Sequence, residues 1–267
     1  GSYPYEGAED RIIISANAQV SLMENGKPIK TLRTGIMAGS QCPEPLMRRV
    51  LYDLGCSEIT IAYGMTETSP VSFQSDVNDS VKVRVSTVGR IQPHCEVKIV
   101  NDRGQIVKIG ETGELWAKGY LVMKGYWQDD TATKTTIEDG WMKSGDLATI
   151  DSEGYCRIVG RKKDMIIRGG ENIYPAELED FLSGQEGILE AHVFGVPDTK
   201  FGEKVIAWII RDKLVQIDEL AVKEICRNKL AYYKIPAEVR FVEQVPLTAT
   251  GKPQKFRMRE IMLSESL

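Results

Sequence analysis

A helix followed directly by an apolar strand, within residues 43–64, constrains the fold more than any other feature of this sequence. The run PEPLMRRVLYDLG begins with Pro43 and ends with Gly55, the punctuation that helices favour. One face of this predicted helix carries Leu46, Met47, Val50, Leu51 and Leu54. The next segment, SEITIAYG, predicts a buried strand that runs into a loop. A helix, a strand and then a loop with functional side chains indicate an α/β fold.

The pattern changes between Val85 and Gly160. The runs CEVKIV, GELWAKG and YCRIVGR alternate in hydrophobicity, and the turn sequences NDRG, GETG and DSEG separate them. This spacing predicts an antiparallel β region, and a small β-barrel is the expected form.

The segment after Arg161 predicts a compact α+β unit. Its first helix, PAELEDFL, starts at Pro175 with two early acidic residues that suit the helix dipole. Further elements follow in the order HVFGV, EKVIAWII, a helix near Asp218–Tyr233, the strand VRFV and a helix from about Lys255. The boundary between the two regions is expected in the charged residues 161–164.

Composition limits the class of protein. The chain has 267 residues, a formal net charge of −4 and 42% hydrophobic residues, which suits one large domain or two ordinary ones. The negative charge argues against nucleic acid or anionic lipid as a partner of the whole surface. No stretch approaches the ~20 apolar residues of a membrane span, so we predict no transmembrane segment.

Cysteine and histidine usage argues against a zinc site, a disulfide framework, and a histidine-based triad or metal cage. Five cysteines lie far apart without a C-x-x-C pair, and His94 and His192 are isolated. We therefore expect reduced thiols in the cytoplasm, with the mitochondrial matrix as the alternative for a eukaryotic source.

The loop YGMTETSP, from Tyr63 to Pro70, offers an aromatic ring, two threonine hydroxyls and the carboxylate of Glu67. Ligands bind beyond the carboxyl ends of strands in open α/β sheets, and carboxylate oxygen suits Mg²⁺. The alternative is a Ser/Thr-rich surface turn, and the residues alone leave both interpretations open.

Two further charged residues could bind a sugar or phosphate. Gly145-Asp146 predicts a carboxylate on a tight turn, suited to accepting hydrogen bonds from vicinal ribose hydroxyls. Arg161 is expected at the end of a strand, within reach of a sugar or phosphate. An ordinary turn aspartate and a surface arginine are the alternatives.

Two glycine-containing segments complete the candidates. In RGGENIYP, Gly169 and Gly170 permit close approach of a ligand or form a plain hairpin turn. In PLTATGK, Lys252 is either a solvated surface lysine or a movable charge. The latter segment is no P-loop, because Pro246 replaces the first glycine and Pro253 replaces the Ser/Thr.

Taken together, YGMTE, SGD, GRKKDMI, RGGENIYPAELE and PLTATGK resemble the AMP-forming acyl-CoA synthetases of the adenylate-forming superfamily. RTGIMAGSQCP resembles their adenine-binding segment, and the branch that handles medium-chain fatty acids is the most similar. The resemblance implies an α/β plus α+β architecture. Residues 1–160 would be the C-terminal portion of a large adenylation domain, 161–164 a hinge, and 165–267 a small mobile lid.

The resemblance also implies a two-step reaction that uses ATP, Mg²⁺ and coenzyme A. A carboxylic acid, here a medium-chain fatty acid, attacks the α-phosphate to give an acyl-adenylate and pyrophosphate. The lid then rotates, and coenzyme A displaces AMP to form a thioester. A homodimer is compatible with the resemblance.

Site residues carry over position by position. Gly39 would line the adenine, Tyr63 would stack on it, and Gly64 would belong to the same nucleotide site. The remaining roles are phosphate binding for Thr66, Mg²⁺ binding for Glu67, ribose binding for Asp146, ribose and phosphate binding for Arg161, the hinge for Lys163, the pantetheine channel for Gly169 and Gly170, and adenylation for Lys252.

The resemblance starts at about Leu32, and the upstream phosphate loop of the family has no counterpart in residues 1–31. Gly1-Ser2 is typical of a tag-cleavage remnant. We therefore expect a fragment or engineered form of such an enzyme. A nucleotide-binding fragment without turnover and an amino-acid-adenylating domain are the alternatives, although no downstream carrier segment supports the latter.

Overall fold

The computed structural model describes residues 23–24, 27–28, 32–248 and 251–265. The chain separates into two compact units. The first contains the described residues up to Ser144 together with Ala148–Ile158, and the second contains Gly145–Leu147 and the described residues from Val159 onward. The expected mixed α/β fold class is confirmed.

A four-stranded sheet forms the first half of the first unit, preceded by a short antiparallel pair of strands. Its strand order is β3-β4-β5-β6, with β3 and β4 parallel and the other neighbours antiparallel. The elements are β1 (Met23–Glu24), β2 (Lys27–Pro28), β3 (Thr34–Ala38), α1 (Glu44–Tyr52), β4 (Glu58–Gly64), β5 (Val71–Gln74), α2 (Val81–Ser86) and β6 (Arg90–Ile91).

The predicted helix and strand at residues 43–64 are confirmed. Pro43 precedes α1, and the buried face of the helix includes Met47 and Val50, which are both fully inaccessible. These side chains pack with Ile59 and Ile61 of β4 in one core cluster. The apolar face of α1 therefore fixes the helix beside the parallel strands.

A five-stranded antiparallel sheet follows. Its order is β11-β10-β8-β7, and β9 also pairs with β10. The elements are β7 (Cys95–Val100), β8 (Gly113–Gly119), α3 (Asp130–Thr136), β9 (Ile137–Glu138), β10 (Trp141–Ile150) and β11 (Cys156–Arg161). Backbone bonds of 2.8 and 2.9 Å join Val88 and Gly89 to Cys156. They tie the chain before β7 to the opposite edge strand, in line with the expected small barrel.

The second unit is an α+β arrangement around another five-stranded sheet. Its order is β13-β12-β15-β14, and β16 pairs in parallel with β15. The elements are β12 (Ile166–Arg168), β13 (Glu171–Ile173), α4 (Pro175–Ser183), β14 (Ile188–Asp198), β15 (Gly202–Arg211), α5 (Glu219–Arg227), β16 (Glu238–Phe241) and α6 (Lys255–Ser264). Helices α4 and α5 pack on one face of the sheet and α6 on the other.

Ion pairs as well as packing hold helix α6 to the rest of the second unit. Lys255 Nζ lies 2.7 Å from Glu179 Oε1, and both side chains are only about one-fifth exposed. Glu179 also accepts a 2.7 Å hydrogen bond from the backbone N–H of Val193. Arg259 lies 3.3 Å from Glu203. The helix is therefore fixed at two points to the body of the second unit.

Some elements differ from the sequence-based expectations. The helix predicted over 218–233 ends at Arg227, and residues 232–234 form a separate 3₁₀ turn. Helix α3 was not predicted, because none of its residues is buried and no apolar periodicity marks it. Its start is set instead by Asp129, whose side chain accepts a hydrogen bond from Ala132 N.

Candidate functional site

The carboxyl ends of β3 and β4 lie side by side in the first unit. Ala38 pairs with Ala62 in the parallel register, so Gly39 and Tyr63 each follow at the same end of the sheet. Gly39 has φ +91 and nothing within 4 Å of where a Cβ would stand. Tyr63 is half-buried, and its ring meets Phe73 edge-on at 6.2 Å. The two residues thus stand at the same carboxyl end of the sheet.

Gly64 is required by a close backbone approach. A Cβ added there would lie 1.6 Å from the carbonyl oxygen of Pro70. The buried hydroxyl of Thr68 closes the same loop, since Met65 N donates to it at 3.2 Å and it lies 3.2 Å from Pro70 O. These contacts hold the loop in one conformation, in which Thr66 is exposed at the surface.

Glu67 lies on this loop, within the 3₁₀ turn Thr66–Thr68. The hydroxyl of Tyr126 donates a 2.8 Å hydrogen bond to Glu67 Oε1. The backbone N–H of Met123 donates a 2.9 Å hydrogen bond to Glu67 O. The bond to the carboxylate raises the pKa of Tyr126, so the phenol stays a donor.

Asp146 and Arg161 are brought together in the second unit. Arg161 Nε lies 3.1 Å from Asp146 Oδ1, with the aspartate side chain 7% exposed and the arginine 50% exposed. The prediction of a tight turn at Gly145-Asp146 was wrong. Both residues lie within β10, where Gly145 has φ +70, because sheet pairing overrides the local Gly-Asp turn signal. Arg161 does end β11, as predicted.

Gly169 and Gly170 form the two-residue turn of the β12–β13 hairpin. Their φ angles are +61 and +88, and Arg168 pairs with Glu171 across the turn. This conformation is the one that favours glycine in two-residue hairpins. Gly169 N also donates a 2.8 Å hydrogen bond to Phe201 O. The hairpin interpretation of these glycines is therefore confirmed, and it leaves their backbone exposed.

Lys252 stands exposed on a tight backbone turn before α6. Its N–H donates a 2.9 Å hydrogen bond to Thr248 Oγ1, and its carbonyl accepts one of 2.8 Å from Thr248 N. Leu247 and Pro253 form an antiparallel bridge across the turn. Hydrogen bonds of its backbone thus set the position of Lys252, which lies just before the fixed helix α6.

Lys163 is exposed in the 3₁₀ turn Lys162–Asp164, between β11 and β12. No group of three metal-ligating side chains occurs among the described residues. Of the helices in residues 32–248 and 251–265, none is long and apolar enough to cross a membrane.

Two residues of the loop region escaped the sequence analysis. Thr68 lies in the quoted motif, yet its local hydrogen bonds to Met65 and Pro70 are visible only in three dimensions. Tyr126 contacts Glu67 across 59 positions of sequence. The only available signal was a tyrosine in the run GYW, which singles out no partner.

Two segments of the chain match models of one enzyme family. Residues 11–127 match the model described as AMP-binding enzyme, and residues 177–252 match that of the AMP-binding enzyme C-terminal domain. This chain belongs to the AMP-binding enzymes. The first match begins at residue 11, so the family resemblance extends further toward the N-terminus than the expected start at Leu32.

Relatives among AMP-binding enzymes are longer than this chain. The chain is 54% identical over 236 residues to YngI of Bacillus subtilis, covering 87% of this chain and 43% of YngI. It is 45% identical over 234 residues to the mitochondrial medium-chain acyl-CoA ligase ACSF2 of Rattus norvegicus, with 87% of this chain and 38% of that protein covered. The chain thus spans about two-fifths of these relatives.

Solved structures with related sequences share the fold. ATP-bound MatB from Rhodopseudomonas palustris superposes with a TM-score of 0.78 at 34% identity, over 85% of this chain and 44% of MatB. The o-succinylbenzoate CoA synthetase MenE of Bacillus subtilis, in complex with its acyl-adenylate intermediate, gives 0.78 at 32% identity, over 86% and 46%.

Proposed function

We propose that this chain is the nucleotide-binding and lid portion of an AMP-forming acid–CoA ligase. The overall reaction would activate a carboxylic acid with ATP and transfer the acyl group to coenzyme A. The observation that carries the proposal is the parallel register of β3 and β4, which places Gly39 and the Tyr63–Glu67 loop at one end of the sheet. Nucleotides bind at such positions in α/β sheets.

The first unit would supply the adenine and phosphate contacts. Gly39 leaves open space for the base and Tyr63 offers a ring, while Thr66 is exposed for a phosphate oxygen. Glu67 is a single carboxylate, which fits Mg²⁺ because this ion is often held by one or two carboxylates and the substrate phosphates. The ion would neutralise phosphate charge when bound.

The second unit would supply ribose and lysine contacts. A buried carboxylate such as that of Asp146 accepts hydrogen bonds from vicinal hydroxyls, and Arg161 Nε fixes its orientation at 3.1 Å. Lys252 would neutralise charge on the α-phosphate as the acid attacks. Residues 165–267 would act as the lid with Lys163 as hinge, and Gly169-Gly170 would border the pantetheine channel.

The proposed reaction would proceed in two steps, acyl-adenylate formation and thioester formation. The carboxylate oxygen forms a bond to the α-phosphorus, and the bond to the bridging oxygen breaks, so pyrophosphate leaves with the electron pair. The thiol sulfur of coenzyme A then bonds the carbonyl carbon, its proton is released, and the C–O bond to AMP breaks. Movement of the Lys252 side chain away from the site between the two steps would make room for the thiol.

Similarity to ACSF2 supports a medium-chain fatty acid as substrate, since that protein is named a medium-chain acyl-CoA ligase. The test incubates the chain with ATP, Mg²⁺, coenzyme A and fatty acids of short, medium and long chain. AMP formation that depends on the acid supports the proposal, and preference for medium-chain acids supports the substrate.

A nucleotide-binding role without turnover is the competing function. The coverage of about two-fifths of the relatives favours it, because a partial domain need not complete the acyl pocket. A chain that binds AMP but forms none from ATP with any acid would support this alternative.

A further inference from the structure

The loop that carries Glu67 is held by a second segment of the first unit, residues 123–133. This segment contacts Glu67 at both ends of the residue. Met123 N donates to its carbonyl at 2.9 Å, and the Tyr126 hydroxyl donates to its carboxylate at 2.8 Å. Fixing backbone and side chain together leaves the carboxylate little freedom to rotate.

Tyr126 is itself fixed in place. Its backbone N–H donates a 2.9 Å hydrogen bond to Thr133 Oγ1, which in turn donates one of 2.8 Å to Asp129 O. A Cβ on Gly125 would lie 2.8 Å from Thr133 Cγ2, so the chain passes Thr133 at the closeness that only glycine allows.

We propose that Tyr126 is a positioning residue, which orients the Glu67 carboxylate for a divalent cation bound with the nucleotide phosphates. This inference rests on the proposed function. The hydroxyl engages Oε1, so the lone pairs of Oε2 would remain to hold the cation, because both oxygens of a carboxylate accept. Hydrogen-bond partners of a metal-binding carboxylate orient it and tune its affinity.

Tyr126→Phe removes only the hydroxyl and tests the inference in the full chain. Isothermal titration measures AMP binding in EDTA and ATP binding with and without Mg²⁺. We expect the variant to weaken Mg²⁺-dependent ATP binding about tenfold. AMP binding and the thermal unfolding midpoint should stay unchanged. Tyr120→Phe is the matched control, because Tyr120 is 77% exposed.

A double-mutant cycle separates positioning from a general structural role. In a Glu67→Gln background the Tyr126 hydroxyl has no carboxylate to orient, so Tyr126→Phe should add no further loss. Additive losses, or unchanged Mg²⁺ dependence in Tyr126→Phe, would overturn the inference alone. If the unmodified chain binds neither AMP nor ATP, the proposed nucleotide site falls, and the inference falls with it.

Discussion

Arg161 Nε lies 3.1 Å from Asp146 Oδ1, and this pair joins a buried carboxylate to a half-exposed guanidinium. The two residues come from β10 and β11, neighbouring strands of the antiparallel sheet. Their proximity joins two charges that are separate in the sequence into one ion pair.

Asp146→Asn should therefore weaken nucleotide binding. The amide keeps the shape of the side chain but loses the charge that strengthens hydrogen bonds with ribose hydroxyls and with Arg161. We expect AMP affinity to fall by about 2 kcal/mol, the usual difference for a hydrogen bond to a charged group. Isothermal titration checks this. Asp102→Asn, in an exposed turn, is the control, and equal affinities for Asp146→Asn and the unmodified chain would contradict the ribose role.

Lys252→Ala should separate the two half-reactions. Loss of a positive charge at the α-phosphate is expected to slow acyl-adenylate formation by about 10²–10³-fold, as when one electrostatic donor is removed from an active site. Thioester formation from supplied acyl-adenylate should stay near its original rate. Pyrophosphate exchange and thioester assays measure the two steps.

The matched control for that experiment is Lys229→Ala, which removes another exposed lysine of the second unit. Equal loss of both half-reactions in Lys252→Ala would argue against a role limited to adenylation.

Gly64→Ala should destabilise the first unit. The new methyl would stand 1.6 Å from Pro70 O, a backbone atom that cannot move without disrupting the pairing of β4 and β5. We expect a loss of about 3 kcal/mol in the free energy of unfolding, measured in urea.

Gly35→Ala provides the comparison for Gly64→Ala. There the methyl meets the end of the Ile59 side chain at 3.0 Å, which can shift. We expect a smaller loss, and similar losses in the two variants would show that the close approach at Gly64 is relieved by movement of the chain.

The raised pKa values of the buried cysteines predict the order in which the thiols are alkylated and how the free energy of unfolding changes with pH. Burial raises the pKa of Cys156 to about 12 and that of Cys42 to about 11, from an ordinary value of 9.0. Because the thiolate is the reactive form, iodoacetamide should label the partly exposed Cys95 before these two in the native chain. Mass spectrometry of timed samples measures the order.

The same pKa values fix the sign of the stability change. Above about pH 9 the unfolded chain releases thiol protons that native Cys156 retains until about pH 12. The unfolded state then binds fewer protons, so the free energy of unfolding falls as pH rises through this range. Unfolding in urea at several pH values checks the slope, and Cys156→Ala should reduce it.

Local patterns in the sequence predicted those elements whose apolar residues follow one period. The buried face of α1 and the apolar run of β4 are examples, because their side chains pack within a short stretch of chain. Gly145-Asp146 was misjudged, since a turn-like dipeptide lies inside the ten-residue strand β10. The bond between Tyr126 and Glu67 spans 59 positions, and no local pattern encodes such a contact.

The ion pairs of Lys255 and Arg259 limit how far the ammonium of Lys252 can move independently of the second unit. Helix α6 starts three positions after this lysine, and its charges anchor it to Glu179 of α4 and to Glu203 of β15. Hydrogen bonds of Gly251 and Lys252 with Thr248, and the bridge between Leu247 and Pro253, also tie the backbone of this lysine to residues on both sides of it. If Lys252 is withdrawn between the two half-reactions as proposed, its ammonium would therefore move together with helix α6 and the strands that hold the helix.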